Sequence, residues 1–525
     1  MKNNFIIIAI TTLFVMSCKK TELDITNPNQ ATTQQFWKSA ADAQLGVNAI
    51  YSTYHRGSLG RWMQFLTIVR ADEAFSTSPA PWIRNYFDQF KYDNYNDGLI
   101  AGLWGDCYIG INRCNQVLDN VSGIAMDETL KAQLLGEAKL MRGLFYYTLA
   151  QHYGNVPILL HASKPTDYPS TSTQEQVYNQ TATDFTEAAA VLPATYDANN
   201  RGRGTKGAAY AMLGKVYMQM RKYEMAKTAF KWLIDGPGAT LYTLTPNYRN
   251  NFIETSENNS ESVFEFQNAA NPIDSYDNDA GDGNANNTPD KLNYGTSIPP
   301  FFAPRPIGFT DGQARRWVVS EMLQENQVNG QRDPRIEASF LYDSTDVKGP
   351  AFTMVYGRTW NSLNYSNDSN DPIGVATNRT VYLRKFLDDA TMNGEVFHSG
   401  NNYRYVRYAD VLLLYAEAMN ATGQTTLAYT YVDKVRQRAG LAALSVARPN
   451  LNMQSFLLQL KHERITELSG EGHRWEDLAR WGDLSPALGS RDAGFNNFVV
   501  GKNEFLPIPQ FELDINPNLK QNPNY

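Results

Sequence analysis

Tyr210-Ala211-Met212-Leu213-Gly214-Lys215-Val216-Tyr217, followed by Ala226 and Phe230, is the stretch that decides the fold. An aromatic residue, then Leu-Gly, then tyrosine, and further on an alanine and an aromatic one helical turn apart match the spacing of a tetratricopeptide helix pair. Gly214 and Ala226 carry almost no side chain, so two antiparallel helices approach closely there, and Tyr217 and Phe230 fill the space beside them. A second unit follows the same plan at Leu412, Tyr415, Ala416, Ala428 and Val432. A third pairs residues 130–153 with 174–192, across a loop that holds Tyr153-Gly154-Asn155-Val156-Pro157.

Around these units, apolar residues recur at three and four over 39–54 and 99–121, the mark of amphipathic helices on a core. The helix at 174–192 stops at Pro193. Residues 236–402 read differently: they are rich in Asn, Asp, Gly and Pro, with one short strand expected at 262–267. So long an irregular stretch in a compact protein is functional or disordered, and its aromatic residues favour function. The expected fold is mainly α. Tetratricopeptide-like helix pairs form a scaffold over about 31–235 and 403–525, with a large loop-rich variable region over about 236–402 and little β structure, all in one domain from 31 to 525.

The N-terminus is not part of that fold. Lys2, an apolar run from Phe5 to Met16 and then Ser17-Cys18 have the order of an export signal, too short to span a bilayer. Val15-Met16-Ser17-Cys18 resembles a bacterial lipobox, which implies cleavage after Ser17 and lipid on Cys18. Acyl chains contribute about 0.8 kcal/mol per buried methylene, so two or three of them hold a protein firmly on a membrane that it does not cross. Residues 18–30 read as the lipidated tether, and Glu22 and Asp24 within it hint at the outer surface of the outer membrane.

A net charge of −7 argues against nucleic acid, which favours a basic face. Cys107 and Cys114 sit seven apart on one helix, about 10 Å along its axis, too far for a disulfide; both read as buried thiols. His462-Glu463-Arg464-Ile465-Thr466 begins like a zinc-protease helix, but Thr466 stands where the second histidine must bind. Asp277, Asp279 and Asp282 make the calcium candidate, yet Gly281 takes a ligand position of the EF-hand loop and Asp282 the glycine position, so a plain loop is the simpler reading. No phosphate loop or nucleophile elbow occurs. No catalytic residue or cofactor is therefore expected.

Aromatic residues set among polar loop residues remain: Trp82 and Tyr86 with Arg84, then Phe301, Phe302, Trp317, Tyr356, Trp360 and Tyr365. An exposed ring suits the C–H face of a sugar, and nearby Asn, Asp and Arg suit its hydroxyls. Trp82, Arg84, Tyr86, Trp317, Trp360 and Tyr365 are the glycan-binding candidates.

Several blocks together resemble the SusD/RagB family of nutrient-binding outer-membrane lipoproteins. They are Asn27-Pro28 with Phe36-Trp37, Glu137-Ala138-Lys139-Leu140-Met141-Arg142-Gly143, Arg407-Tyr408-Ala409-Asp410, and Glu463-Arg464 with Glu467-Leu468, Glu471-Gly472, Arg474-Trp475 and Asp477-Leu478. Leu506-Pro507-Ile508-Pro509 and the tail to Tyr525 close the match. The resemblance implies a non-catalytic lid on a SusC-like TonB-dependent transporter that captures oligosaccharide, with peptide cargo or a pure protein-interaction scaffold as the alternatives. Independently of it, Glu463, Arg464, Glu467 and Arg474 can pair with one another, and the proline-rich tail is expected to run extended over the helices.

Overall fold

The computed structural model describes residues 36–80, 83–270, 295–342, 351–360, 380–390, 395 and 399–525. Cys18 and the tether expected over 18–30, Trp82, the calcium candidates Asp277, Asp279 and Asp282, and Tyr365 lie outside them.

Helix α1 (Ala40–Ser52) begins at a reciprocal cap, in which the Asp42 amide donates to the Ser39 hydroxyl and the Ser39 amide donates to the Asp42 carboxylate. A short α2 (Met63–Val69) precedes α3 (Gly98–Asn120) and α4 (Glu128–Tyr153), which start on Asp97 and Asp127 caps. Helix α4 ends at Gly154, where a φ of 69° turns the chain away from the helix, a conformation that other residues adopt only under strain. After the loop come α5 (Gln174–Val191), α6 (Lys206–Gln219) and α7 (Tyr223–Ile234). Each helix from α3 to α7 packs on the next. The chain then leaves the array and rejoins it at α8 (Tyr408–Ala421), which packs on α7, followed by α9 (Thr425–Arg438), α10 (Met453–Leu468) and α11 (Arg474–Trp481).

One packing device recurs. A Cβ built on Gly214 would lie 2.2 Å from the Phe230 ring, one on Gly143 2.6 Å from Phe185, and one on Gly110 2.3 Å from Phe145. Only glycine lets the partner ring lie flat against the helix backbone, so the expected α6–α7 and α4–α5 pairs meet through glycine–aromatic contacts. Cys107 and Cys114 are buried on α3, and burial pushes both thiols well above their ordinary range.

Short strands lie within the described part of the variable region and join it to the scaffold. β1 (Ala74–Ser76) pairs antiparallel with β3 (Gly312–Ala314), β2 (Ser262–Phe266) with β8 (Tyr403–Arg407), β4 (Phe340–Tyr342) with β7 (Val381–Leu383), and β5 (Met354–Val355) with β6 (Arg358–Thr359). The strand expected at 262–267 is thus present. Its pairing with β8 brings the two ends of the insertion together.

Beneath that ladder lies a buried charge network that ties the insertion to the scaffold. Arg407 is fully buried and pairs with Glu261, with Glu467 at 3.1 Å and with Glu471 at 2.7 Å. Arg438 of α9 reaches Glu261 at 3.0 Å and also Glu467, Arg335 reaches Asp333 at 2.7 Å and Glu467 at 3.3 Å, and Lys385 reaches Glu471 at 2.7 Å. Each of the four cations has a carboxylate partner, and each of the four carboxylates a cation. The expected pairing among Glu463, Arg464, Glu467 and Arg474 does not occur. Glu463 pairs with Arg436, Arg464 with Asp410 and Asp477, and Arg474 with Asp72, because the helices point these side chains at segments remote in sequence.

The tail docks on the end of α4: the Leu506 amide donates to the His152 carbonyl at 2.6 Å, and the Asn522 carboxamide to the Tyr153 carbonyl at 2.8 Å. It is not extended throughout, since residues Gln510–Ile515 form a helical turn between the prolines.

Candidate functional site

Two segments that carry the sequence candidates meet at β1 and β3. Past β1, the Thr77 amide donates to the Asp311 carbonyl at 2.8 Å, and the Ser78 hydroxyl to the Asp311 carboxylate at 3.1 Å. These bonds hold the loop leading to Trp82 and Arg84 against the chain just past Phe309. At that junction Thr310 has a φ of 63°, which a β-branched residue adopts only where neighbours impose it. Here they do: its amide donates to the Ala303 carbonyl at 3.1 Å, and its own carbonyl accepts from the Thr77 hydroxyl.

Beside this junction a row of rings climbs from core to surface. Phe65 is fully buried, Phe301 is 6% exposed and Phe309 is 43% exposed, with ring centroids 6.2 Å apart for the first pair and 5.5 Å for the second. Trp62 stands edge-on to Phe301 at 5.4 Å, and the Arg61 guanidinium lies 4.3 Å over Trp62 and 4.8 Å over Phe301. Trp62 closes a single π-helical turn, Ser58–Trp62, of the kind that re-aims side chains at functional sites.

That turn also walls a cleft of about 530 Å³ lined by Arg56, Ser58, Trp62, Asp97, Leu99 and Asp106. The volume falls within the range of small-ligand sites. Arg56 pairs with Asp106, and burial raises the Asp106 and Asp97 carboxyls against the pull of their hydrogen-bond partners. On the other side of the same segment lies a second cleft of about 370 Å³, where Tyr51, Tyr54 and His55 face Arg203, Glu265 and Gln267. Tyr54 is stacked on Phe266 at 3.8 Å, which fixes that wall.

The sequence candidates fall in several places. Arg84 is partly exposed on the Arg84–Asp88 turn beside β1. Tyr86 is only 4% exposed; its hydroxyl donates to Asp93 and its ring stacks on Tyr92, so no face is left for a ligand. Trp360 is 6% exposed between Phe352 and Tyr382, a core ring of the variable region, and Tyr356 is buried as well. Trp317 is half-buried. Its indole N–H donates to the Asp72 carbonyl at 2.6 Å, and the guanidinium of Arg491 lies 4.4 Å over the ring. Sequence reasoning missed Trp62 and Phe309. The available signal was the run of Pro299, Pro300, Pro304, Pro306 and Gly308 around Phe309, which cannot form a long helix or a central strand.

The failed zinc helix can be read again here. Glu325, His462 and Glu463 bring donor atoms within 4.8 Å of one another. The Arg436 guanidinium already bonds Glu463 and, at 2.7 Å, Glu325, and His462 lies 2.8 Å from Glu321, so the cluster is neutralised from within.

Next to Asp72, Glu73 is buried, and burial pushes its carboxyl up to about 8; Asp72 adds to this, while the Gly470 amide, Arg474 and Lys385 oppose it. A carboxyl raised in the fold keeps its proton where the unfolded chain has lost it. Its contribution is therefore present below about pH 4.3 and is lost as pH rises through 8. Glu73→Gln is expected to flatten the fall in urea midpoint between pH 5 and 8.5. Asp88, raised well above its ordinary range, and Glu257 and Glu395, both raised to about 7, leave a residual slope, and parallel profiles for variant and parent would refute the assignment.

Comparison with known proteins places this geometry. The sequence profile of the SusD family matches residues 238–525, and one described as starch-binding associating with outer membrane matches residues 23–218. A SusD-like protein of Formosa agariphila is 26% identical over 100% of this chain and 99% of its own length. Among solved structures, a SusD superfamily protein from Bacteroides vulgatus superposes with a TM-score of 0.79 at 25% identity, covering 93% of this chain and 100% of that one. A laminarin-binding SusD-like protein superposes with a TM-score of 0.72 at 27% identity over 93% of this chain and 100% of its own. Helix-pair scaffold, inserted variable region and a profile match over more than half of the chain agree: the protein belongs to the SusD/RagB family.

Proposed function

We propose that the protein is a surface lipoprotein of the outer membrane that binds oligosaccharide without turning it over and hands it to a partner TonB-dependent transporter. The observation that carries the binding part is the ring row ending in exposed Phe309, beside a cleft edged by Trp62 and by paired guanidinium and carboxylate groups. A flat ring takes the apolar face of a pyranose, and charged groups already held in place take its hydroxyls at little ordering cost. The laminarin-binding structural relative and the starch-binding description of the matching profile support a saccharide as the cargo. Anchoring rests on lipid at Cys18; no helix among the described residues is long and apolar enough to cross a membrane.

The test is affinity electrophoresis and calorimetry with laminarin, starch and a panel of other neutral glucans and mannans. One glycan is expected to bind, and Phe309→Ala is expected to weaken it about tenfold, equivalent to roughly 1.4 kcal/mol, with the melting temperature unchanged. Parental affinity in Phe309→Ala would remove Phe309 from the site, and silence of the unmodified protein across the panel would remove the saccharide.

A further inference from the structure

A third cleft, of about 660 Å³, shares no lining residue with the two described above. It opens where the end of α4, the start of α5, the α6–α7 turn, the end of α11 and the C-terminal loop converge, with walls that include Gln151, Gln174, Gln219, Arg221, Val500 and Lys502. Gln151 is 5% exposed, and its carboxamide nitrogen has no hydrogen-bond partner. An unpaired buried donor is costly to the fold, and an acceptor brought by a ligand would recover that cost. A neighbouring glutamine is polarised the other way. Gln174 donates to the Ala150 carbonyl at 2.8 Å and to the Tyr178 hydroxyl, which uses both its N–H groups and leaves its oxygen as an acceptor, and Gln219 donates one N–H to the Glu476 carbonyl at 3.4 Å. The cleft thus asks for an acceptor at one point and offers one at another, the complement of a peptide group.

Two further features select the chemistry of the occupant. The most exposed apolar residue of the lining is aliphatic: Val500 is 60% exposed, whereas the rings of Trp475 and Tyr178 are 1% and 5% exposed, and the partly exposed Phe505 ring lies against Gly154. This suits an aliphatic side chain better than a sugar ring. The charge is locally positive in a chain of net −7. Arg221, held by its bond to the Arg480 carbonyl at 2.9 Å, and Lys502 face one acid, Glu504, whose carboxylate accepts from the Gly501 amide; Arg480 is already paired with Glu417 and Asp477.

We propose that this cleft is a second binding site, which takes an extended acidic polypeptide segment of a partner protein with an aliphatic side chain beside its carboxylate. The probe is a random hexapeptide display library selected on the mature protein, followed by polarisation titration of the selected peptides, with laminarin as the parallel saccharide probe. Selected peptides are expected to place Asp or Glu next to Val, Leu or Ile. Their binding should fall at least tenfold in Gln151→Leu and in Arg221→Asn, and saccharide binding should stay unchanged. Arg221 has a φ of 55°, a conformation that asparagine tolerates, so the second variant stays informative if the first is unstable. Failure to select any sequence, or peptide binding that survives both substitutions, overturns the proposal. Loss of laminarin binding in both variants overturns it too, because the cleft would then belong to the saccharide site.

Discussion

Replacing Arg407 by methionine is expected to cost about 3–5 kcal/mol and to loosen the variable region from the scaffold. Methionine approximates the length of the side chain but leaves Glu261, Glu467 and Glu471 facing one another in a buried site, and breaking a buried pair on one side strands the remaining charge. The measurement is urea unfolding with amide exchange on β2 and β8, where protection should drop first because Arg407 itself pairs with Ser262 in that ladder. A loss below about 1 kcal/mol would show that the network is hydrated and not load-carrying. Glu224→Gln supplies the contrast: Glu224 is 71% exposed and pairs with Lys227 three residues on, and exposed pairs contribute at most about 1 kcal/mol. The network also sets an acid limit. Burial pushes Glu467 upward, but Arg438, Arg407 and Arg335 outweigh it and hold the carboxyl at about 2. A carboxyl depressed in the fold contributes stability that is present above about pH 4.3 and is lost as pH falls through 2, so the deficit of Arg407→Met should be full above about pH 4.3 and should shrink as pH falls toward 2.

Phe230→Ala is expected to cost about 4 kcal/mol, within the range for emptying a buried aromatic site, because Phe230 is fully buried between α6 and α7. Gly214→Ala should cost about 1–3 kcal/mol for the opposite reason, since its new methyl would fall 2.2 Å from the Phe230 ring and the two helices would have to part. Combined, the two changes should cost well under their sum: without the ring the methyl no longer clashes and fills part of the cavity. A double-mutant cycle by calorimetry reads this coupling, and strict additivity would mean that Gly214 is present for a reason other than Phe230.

The same contact shows why the helix pairs were legible. Gly214, Ala226 and Phe230 meet within one helical hairpin, so their spacing along the chain encodes their meeting in space. The stop of the helix at Pro193 was legible for the same reason, and the Ser39–Asp42 and Thr173–Gln176 caps that the structure adds are equally local, made by residues three apart. The partners of Glu467 were not. Arg335, Arg407 and Arg438 come from three remote segments, and nothing in the helix that holds Glu467 names them.

The sequence by itself determined a helix-pair scaffold interrupted by a long irregular insertion, a motif at Cys18 that resembles a lipobox and the absence of recognisable catalytic motifs, because periodicity and short motifs are local properties. Tertiary structure decided which rings face outward. Tyr86 and Trp360 sit among polar neighbours in sequence yet are packed into the core, while Phe309, two residues after Ile307 in a proline-rich run, reaches the surface. Exposure of a ring depends on what the rest of the chain lays over it, and that is settled only when β1 meets β3 and β2 meets β8 across more than a hundred residues.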